Sequence, residues 1–139
     1  MSTQHIGYLM KDITDKIKVR ADADLKNHNL TLTQSRVLTF LGSMRGQATQ
    51  KEIEDFLEVS HPTIVGVVGR MEQKGFLVTW FDAADKRNKI VTLTDQAKKI
   101  VSDMNVMIDE QEQNMLKGLS SQQISELASI LQRMYKNLS

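Results

Sequence analysis

The side chains that most often carry enzyme chemistry are few in this sequence, and none has a recognisable catalytic spacing. The histidines His5, His28 and His61 are far apart and fit no metal-ligand pattern such as His-Glu-x-x-His. There is no cysteine, which removes thiol catalysis, disulfide bonds and cysteine-bound zinc. The hydroxyl groups of Ser60 and Ser120 stand where a helix start needs a cap. We therefore expect no catalysis, no cofactor and no metal site.

The basic side chains suggest a different chemistry, the binding of phosphate groups. The formal net charge of +1 names no partner, but the charges are segregated along the chain. Residues 49–58 carry one lysine and four acids, a net charge of −3, whereas residues 60–92 carry five basic and three acidic side chains, a net charge of +2. Phosphate neutralisation supplies most of the non-specific affinity of proteins for DNA. The asymmetry favours a nucleic-acid surface, although an excess of this size is common by itself.

Hydrophobic spacing predicts two helices in the first third of the chain. Residues 6–25 carry an apolar stripe at spacings of three and four, typical of a helix with one buried face. Thr31 and Gln34 form a capping box at the start of the second helix, and Gly46 is suited to end it. The predicted inward residues of the second helix are Val37, Leu38, Phe40, Leu41 and Met44.

A helix-turn-helix is predicted next. Thr49 and Glu52 form a second capping box, Ser60 and Pro62 suit the start of another helix, and Gly75 ends it. Two short helices joined by a tight turn make this motif. The predicted inward residues are Ile53, Phe56, Leu57, Ile64, Val67, Val68 and Met71.

The hydrophobic period then changes to that of strands. Residues 76–81 and 90–94 are rich in β-branched and aromatic side chains, and the charged segment 82–89 between them forms the tip of a predicted hairpin. A helix-turn-helix followed by a hairpin is a winged helix. The predicted fold class is therefore mainly α with a small β-wing.

Two long helices are predicted to close the chain, one capped by Thr94 and one opened by a capping box at Ser120. The predicted inward residues of the first are Ala97, Ile100, Val101, Met104, Met107, Ile108 and Met115, and those on one face of the last are Ile124, Leu127, Leu131, Met134 and Leu138.

The outermost helices are too apolar for solvent, so they either fold back into one core or pair between chains. A winged helix of about 65 residues already has its own core, which favours pairing. We predict a helical dimerisation region at 1–30 and 95–139 around a winged helix-turn-helix at 31–94, all in one intertwined domain. Two-fold symmetry then predicts a pseudo-palindromic operator.

Nothing in the sequence predicts a membrane or an export signal. The longest stretch without Asp, Glu, Lys or Arg, Val59 to Gly69, has eleven residues, fewer than the roughly 18 that span a bilayer. Residues 1–10 lack the basic and apolar regions of a secretory signal. We expect a cytoplasmic protein, which the absence of cysteine fits.

Six segments carry a resemblance to a known family. They are Leu30-Thr31-x-x-Gln34-x-x-Val37-Leu38, Thr49-Gln-x-Glu52-Ile53, Ser60-x-Pro62-Thr63-Ile64, Arg70-Met71-Glu72-x-Lys74-Gly75-Phe76, Asp82-x-x-Asp85-x-Arg87 and Val91-x-Leu93-Thr94. In this order and spacing they resemble the MarR family of bacterial transcriptional regulators, most of all its regulators of multidrug efflux genes. The resemblance implies a homodimeric repressor, held together by its first and last helices, that binds double-stranded DNA and is often released by a small aromatic or amphipathic ligand.

The resemblance also implies roles for single residues. Residues 60–74 would be the recognition helix, whose N-terminal part enters the major groove, and Asp85 would orient Arg87 toward a minor groove. The implied DNA contacts are Ser60, His61, Pro62, Thr63, Val65, Gly66, Arg70, Lys86, Arg87, Asn88 and Lys89. The implied effector contacts are Met10, Ile13, Ile17, Phe40 and Met44.

Two places depart from the family pattern. Val65 and Gly66 stand where many members carry Thr or Ser followed by Arg or Asn, and Gly69 replaces an acidic or polar residue. Base reading by hydrogen bonds is therefore poor on this helix, although Val65 could touch a thymine methyl group. At the base of the wing, where an arginine is usual, the sequence has Thr79-Trp80. We expect Trp80 to pack or stack there.

Several alternatives stay open at this point. The scarcity of polar base readers favours a second hypothesis, in which the winged helix contacts a partner protein instead of DNA. Arg70 either binds a phosphate or pairs with an acid, and His61 is expected to be a neutral DNA-facing side chain. The eight methionines either fill the core or line an adaptable pocket. Activation instead of repression also stays open, since it depends on where the operator lies.

Overall fold

In a computed structural model, which describes residues 5–139, the chain forms six helices and a three-stranded antiparallel sheet. The helices are α1 (Ile6–Asn27), α2 (Leu32–Ser43), α3 (Gln50–Leu57), α4 (His61–Gln73), α5 (Asp95–Met115) and α6 (Ser121–Asn137). The strands are β1 (Gln47–Thr49), β2 (Leu77–Phe81) and β3 (Lys89–Leu93). The predicted class, mainly α with a small β-wing, is confirmed.

The helix starts follow the predicted side-chain caps. At α2, the side chain of Thr31 accepts the backbone N–H of Gln34 at 3.1 Å, and the Gln34 side chain accepts the backbone N–H of Thr31 at 3.1 Å. Equivalent boxes open α3, with Thr49 and Glu52, and α6, at Ser120. Each box satisfies two backbone donors that the first helical turn leaves unpaired. The three predicted capping boxes are confirmed.

The sheet contains one strand that the sequence pattern does not predict. The predicted hairpin of β2 and β3 is present, with Thr79 opposite Val91, and β1 pairs with the other side of β3, with Ala48 also opposite Val91. β1 has three residues, too few to show the alternation by which a strand is recognised. Gly46, with a φ of +90°, turns the chain from α2 into β1.

The apolar core belongs to the winged helix. Its fully buried side chains come mainly from α2, α3, α4 and β3, and the first turns of α5 pack against them. The core residues with 0% exposure are Val37, Leu38, Leu41, Ile53, Ile64, Val68, Met71, Val91 and Ala97. By contrast, neither α1 nor α6 contains a buried residue.

Four residues predicted to face inward are exposed instead. Phe56 is 57% exposed because its ring stacks on Phe40 from the outside, with ring centroids 4.4 Å apart. Met44 caps the C-terminus of α2, beyond the last turn that packs on the core. Ile108 and Met115 lie in the later part of α5, where no residue is buried. For Met44, Ile108 and Met115, the prediction extended a helical stripe past the point where the chain has a neighbour to cover it.

The chain divides into two compact units, Met1–Asn105 and Val106–Ser139, with the boundary inside α5. The first holds the winged helix and its core. The second contains the end of α5, a turn at Gly118 with a φ of +88°, and α6. Residues 1–4, part of the segment considered above as a signal sequence, lie outside the described range. No helix among residues 5–139 is long and apolar enough to cross a membrane.

Candidate nucleic-acid interface

Helix α4 turns one side to the core and leaves its first turn exposed. The backbone N–H of Thr63 donates to the Ser60 side chain at 3.4 Å, and Pro62 occupies the first turn, where its missing N–H costs nothing. His61, Pro62 and Thr63 are exposed, and Val65 is 44% exposed. The opposite side of the helix is buried through Ile64, Val67, Val68 and Met71, as predicted. The side chains left outside are those that the resemblance assigns to DNA.

Gly66 makes room for Arg70. A Cβ added at Gly66 would lie 3.4 Å from Nη1 of Arg70, so the guanidinium group lies along the helix over the glycine. Arg70 is exposed and forms no ion pair with any residue in the range 5–139. Arg70 was expected either to bind a phosphate or to pair with an acid, and residues 5–139 supply no acidic partner for it.

The tip of the wing contains a local ion pair. Nε of Arg87 donates to Oδ1 of Asp85 at 3.1 Å, and the backbone N–H of Arg87 donates to the same oxygen at 3.0 Å. These two hydrogen bonds, the side-chain bond first, lower the pKa of Asp85 from its ordinary value of 3.8. The Arg87 side chain remains 91% exposed, so the pair directs the guanidinium group without covering it. Lys86 is also exposed, whereas Asn88 and Lys89 are half-buried.

A hydrogen bond connects the base of the wing to α4. The Thr79 hydroxyl group donates to Oε2 of Glu72 at 3.0 Å, joining β2 to the last turn of α4. Trp80 lies opposite Ile90 in the hairpin and is 44% exposed. Thr79 therefore connects the wing to α4.

A cleft of about 260 Å³ lies between the starts of α3 and α4 and the wing. It brings together four of the implied DNA contacts, which are His61, Arg87, Asn88 and Lys89. The remaining lining comes from α3 and its cap, and these residues were not predicted to belong to the site: Thr49, Gln50, Lys51 and Glu54. No motif along the chain indicates this contribution, and the net charge of −3 over residues 49–58 does not favour contact with DNA.

His61 is held by a residue of the preceding helix. Its Nδ1 lies 3.0 Å from Oε2 of Glu54 across the tight turn of the helix-turn-helix. The Glu54 side chain is 11% exposed and the His61 side chain 66% exposed. The sequence places Glu54 and His61 on either side of the predicted turn between α3 and α4. Only the fold shows that their side chains are in contact.

Comparison with known proteins shows that this chain is similar to one family of regulators. Residues 28–88, which hold α2, the helix-turn-helix and most of the wing, match the model of the MarR family. The crystal structure of MepR, a transcription regulator of the Staphylococcus aureus multidrug efflux pump MepA, is 26% identical and superimposes with a TM-score of 0.83 over 98% of this chain and 100% of MepR. Residues 28–88 therefore match the MarR family, and the chain has the fold of MepR over almost its whole length.

Further structures of S. aureus MepR resemble this chain over almost its whole length. A glycine-to-lysine mutant of MepR is 28% identical, with a TM-score of 0.85 over 98% of this chain and 100% of its own. A MepR–DNA complex is 28% identical, with a TM-score of 0.79 over 96% of this chain and 99% of its own. The similarity therefore includes the terminal helices as well as the winged helix.

The effector residues that the resemblance implies lie on two helices. Met10, Ile13 and Ile17 are on α1, where Met10 is 42% and Ile13 49% exposed. Phe40 is buried under Phe56, and the exposed Met44 ends α2. A separate cleft of about 270 Å³ beside the end of α2 includes none of these five residues and is lined by Gly42, Arg45, Gly46, Leu93, Lys98 and Val101. Residues 5–139 contain no group of three His, Asp or Glu side chains suited to a metal ion.

Proposed function

We propose that this protein is a DNA-binding transcriptional regulator of the MarR family that acts as a homodimer. The observation that carries the proposal is the cleft that joins the exposed first turn of α4 to the basic tip of the wing. A major groove accepts one helix, and a protruding hairpin beside it can follow the DNA backbone into the next groove. The complex of MepR with DNA supports this assignment by similarity.

In this proposal, α4 enters the major groove by its N-terminal turn. Ser60, His61 and Thr63 approach base edges or nearby phosphates, while Pro62 and Val65 offer apolar contacts such as that to a thymine methyl group. Gly66 lets the helix backbone come close to the DNA. This surface has few hydrogen-bonding groups, so we expect modest direct readout and a large contribution from phosphate contacts.

The wing supplies positive charge on the same side. Arg87, aligned by Asp85, inserts into the minor groove, where arginine is attracted by the negative potential of narrow grooves. Lys86, Asn88 and Lys89 contact phosphates, and the unpaired guanidinium group of Arg70 does the same from α4. These contacts position the protein and carry little sequence information.

The terminal helices provide the second proposed function, dimerisation. α1, α6 and the C-cap residue of α6 expose apolar side chains that a monomer would leave in water: Ile6, Leu9, Met10, Ile13, Leu127, Ile130, Leu131 and Leu138. Pairing residues 1–30 and 95–139 between two copies would bury them, since removing apolar surface from water is the main driving force of association. A two-fold dimer would present two α4 helices about one turn of DNA apart, which suits a pseudo-palindromic operator. We place this protein in the cytoplasm.

We further propose that the protein represses and that a small aromatic or amphipathic ligand releases it. The similarity to a regulator of a multidrug efflux pump supports this class of ligand. The proposed contacts are Met10, Ile13 and Ile17 with Phe40 and Met44. Release requires the ligand to prefer a conformation in which the two α4 helices have the wrong spacing, because a ligand shifts an equilibrium only by its differential affinity.

The experiment that tests this function is a titration of the purified protein into two labelled duplexes at two salt concentrations. One duplex is selected by the protein from a random-sequence library, and the other is its scrambled counterpart. We expect tight binding to the selected duplex, weaker binding to the scrambled one, and a steep loss of both with salt. Failure to bind either duplex would favour the alternative function, a winged helix that contacts a partner protein.

A further inference from the structure

The carboxylate of Glu54 constrains the proton of His61. Glu54 is mostly buried, and among the described residues its carboxylate has one hydrogen-bonding partner, Nδ1 of His61 at 3.0 Å. An ionised carboxylate can only accept hydrogen bonds, and burying it without a donor is costly. The hydrogen in this contact must therefore belong to Nδ1 of the imidazole ring.

In the neutral form of the ring, the state of the second nitrogen follows from this. A neutral imidazole that carries its hydrogen on Nδ1 has an unprotonated Nε2, which is a hydrogen-bond acceptor. The ring is 66% exposed and lies at the start of α4 in the cleft beside Arg87 and Lys89. An acceptor thus sits among cationic donors, at the part of α4 that enters the major groove in the proposed complex.

The other polar side chains of this turn already bond to each other. The Ser60 and Thr63 hydroxyl groups bond to each other at 2.8 Å, and Ser60 also accepts the Thr63 backbone N–H. Pro62 and Val65 have no polar side-chain atom. In its neutral Nδ1–H form, His61 adds to this turn an exposed acceptor, Nε2, that takes no part in the Ser60–Thr63 pair.

We propose that Glu54 is a positioning residue that fixes His61 as the Nδ1–H tautomer, so that Nε2 accepts a hydrogen bond from the exocyclic amino group of a base in the major groove. The candidates are N6 of adenine and N4 of cytosine, the two amino donors that this groove displays. The inference rests on the proposed DNA-binding function. It assigns base specificity to a pair of residues rather than to α4 alone.

The tautomer is tested in the DNA-free protein by nitrogen-15 NMR of the histidine ring. We expect the hydrogen of His61 on Nδ1 in the wild-type protein and in Glu54→Gln, whose amide oxygen still accepts from Nδ1. Glu54→Leu loses the acceptor, so the Nδ1–H form loses its preference. A hydrogen on Nε2 in the wild-type ring, or on both nitrogens at neutral pH, would overturn the inference.

Base reading is tested with duplexes that lack one amino group at a time. Within the selected duplex, adenine is replaced by purine, or cytosine by pyrimidin-2-one, at each position of a half-site. For the wild-type protein we expect one position at which the replacement weakens binding about tenfold. His61→Phe and Glu54→Leu should bind both versions of that position equally, whereas Glu54→Gln should keep most of the discrimination. The base at that position distinguishes adenine from cytosine as the partner.

Two controls separate the positioning of His61 from a general effect of negative charge on α3. Asp55→Leu removes a carboxylate from the same helix without facing His61, so it should raise affinity for scrambled DNA but keep the amino-group discrimination. In the His61→Phe background, Glu54→Leu should cause no further loss of discrimination, because Glu54 acts through the ring. If the wild-type protein binds the selected duplex but no amino group matters, this inference fails alone. If it binds no duplex, the proposed function fails with it.

Discussion

The winged helix buries its apolar side chains, whereas the two terminal helices leave theirs exposed or only half-buried. Every hydrophobic residue of the core lies between Leu30 and Met104, whereas α1 and α6 contain no buried residue although both carry apolar side chains along one side. Leu38 of α2 is 0% exposed and Leu131 of α6 is 41% exposed. Both residues are leucines on helices, but Leu38 packs in the core and Leu131 does not. The winged helix therefore has its own core, while the terminal helices leave exposed the apolar side chains that the proposed dimer would bury.

The largest expected effect comes from removing core volume in the winged helix. Leu38→Ala should lower the free energy of unfolding by about 2 to 5 kcal/mol, because the site is fully buried and leaves a cavity. Denaturant unfolding at one fixed protein concentration measures it. Leu32→Ala, at a 64% exposed position of the same helix, is the control and should change stability by less than about 1 kcal/mol. Equal losses in the two variants would show that stability does not depend on the core of the winged helix.

The next effect concerns the proposed dimer. Leu131→Glu places a charge in the apolar stripe of α6 and should convert the dimer to a monomer, weakening binding to the selected duplex by about a hundredfold because the two α4 helices no longer bind together. Ser129→Glu adds the same charge on the polar side of α6 and should do neither. Analytical ultracentrifugation and duplex titration measure the two effects. A Leu131→Glu protein that stays dimeric would show that another surface holds the copies together.

A smaller effect is expected from the wing. Arg87→Ala should weaken binding several-fold on selected and scrambled duplexes alike and reduce the slope of log affinity against log salt by about one. The reason is that Arg87 is 91% exposed and, in the proposed complex, contributes charge without reading bases. Lys117→Ala removes one positive charge from the exposed turn before α6 and serves as the control. Unchanged affinity at physiological salt would remove the wing from the interface.

The smallest effect is local to the wing tip. Because hydrogen bonds from Arg87 lower its pKa, Asp85 should titrate below 3.8, and Arg87→Ala should return the pKa toward that value. A pKa lowered by folding stabilises the folded form above the unfolded pKa, and this contribution is lost as the pH falls through the folded pKa. The pair is exposed, so the melting temperature should hardly change. Carboxyl-carbon NMR during an acid titration measures both variants, and identical pKa values would show that the pair does not form in solution.

Local signals predicted most of the fold. The Thr31, Thr49 and Ser120 caps, the Gly75 helix end and the switch to strand periodicity after it are each determined by a few neighbouring residues. The errors come from tertiary structure. β1 exists because β3 offers it a free edge, and Phe56 is outside because the ring of Phe40 lies beneath it.

The site was predicted in part for the same reason. The exposed turn of α4 and the Asp85–Arg87 pair follow from short motifs along the chain. The contribution of α3 does not, because Lys51 and Glu54 reach the cleft only once the tight turn folds α3 against α4. The charge count of α3 even pointed the other way, since a segment net charge does not say which of its side chains face the site.

The decisive measurement is the number of chains that bind one duplex. Light scattering gives the mass of the complex between the protein and a selected duplex that carries two half-sites about one helical turn apart. We predict two chains on each duplex, and one or none when a half-turn is inserted between the half-sites. A single chain bound with full affinity to the intact duplex would contradict the proposed dimer, because the winged helix would then read DNA without the terminal helices.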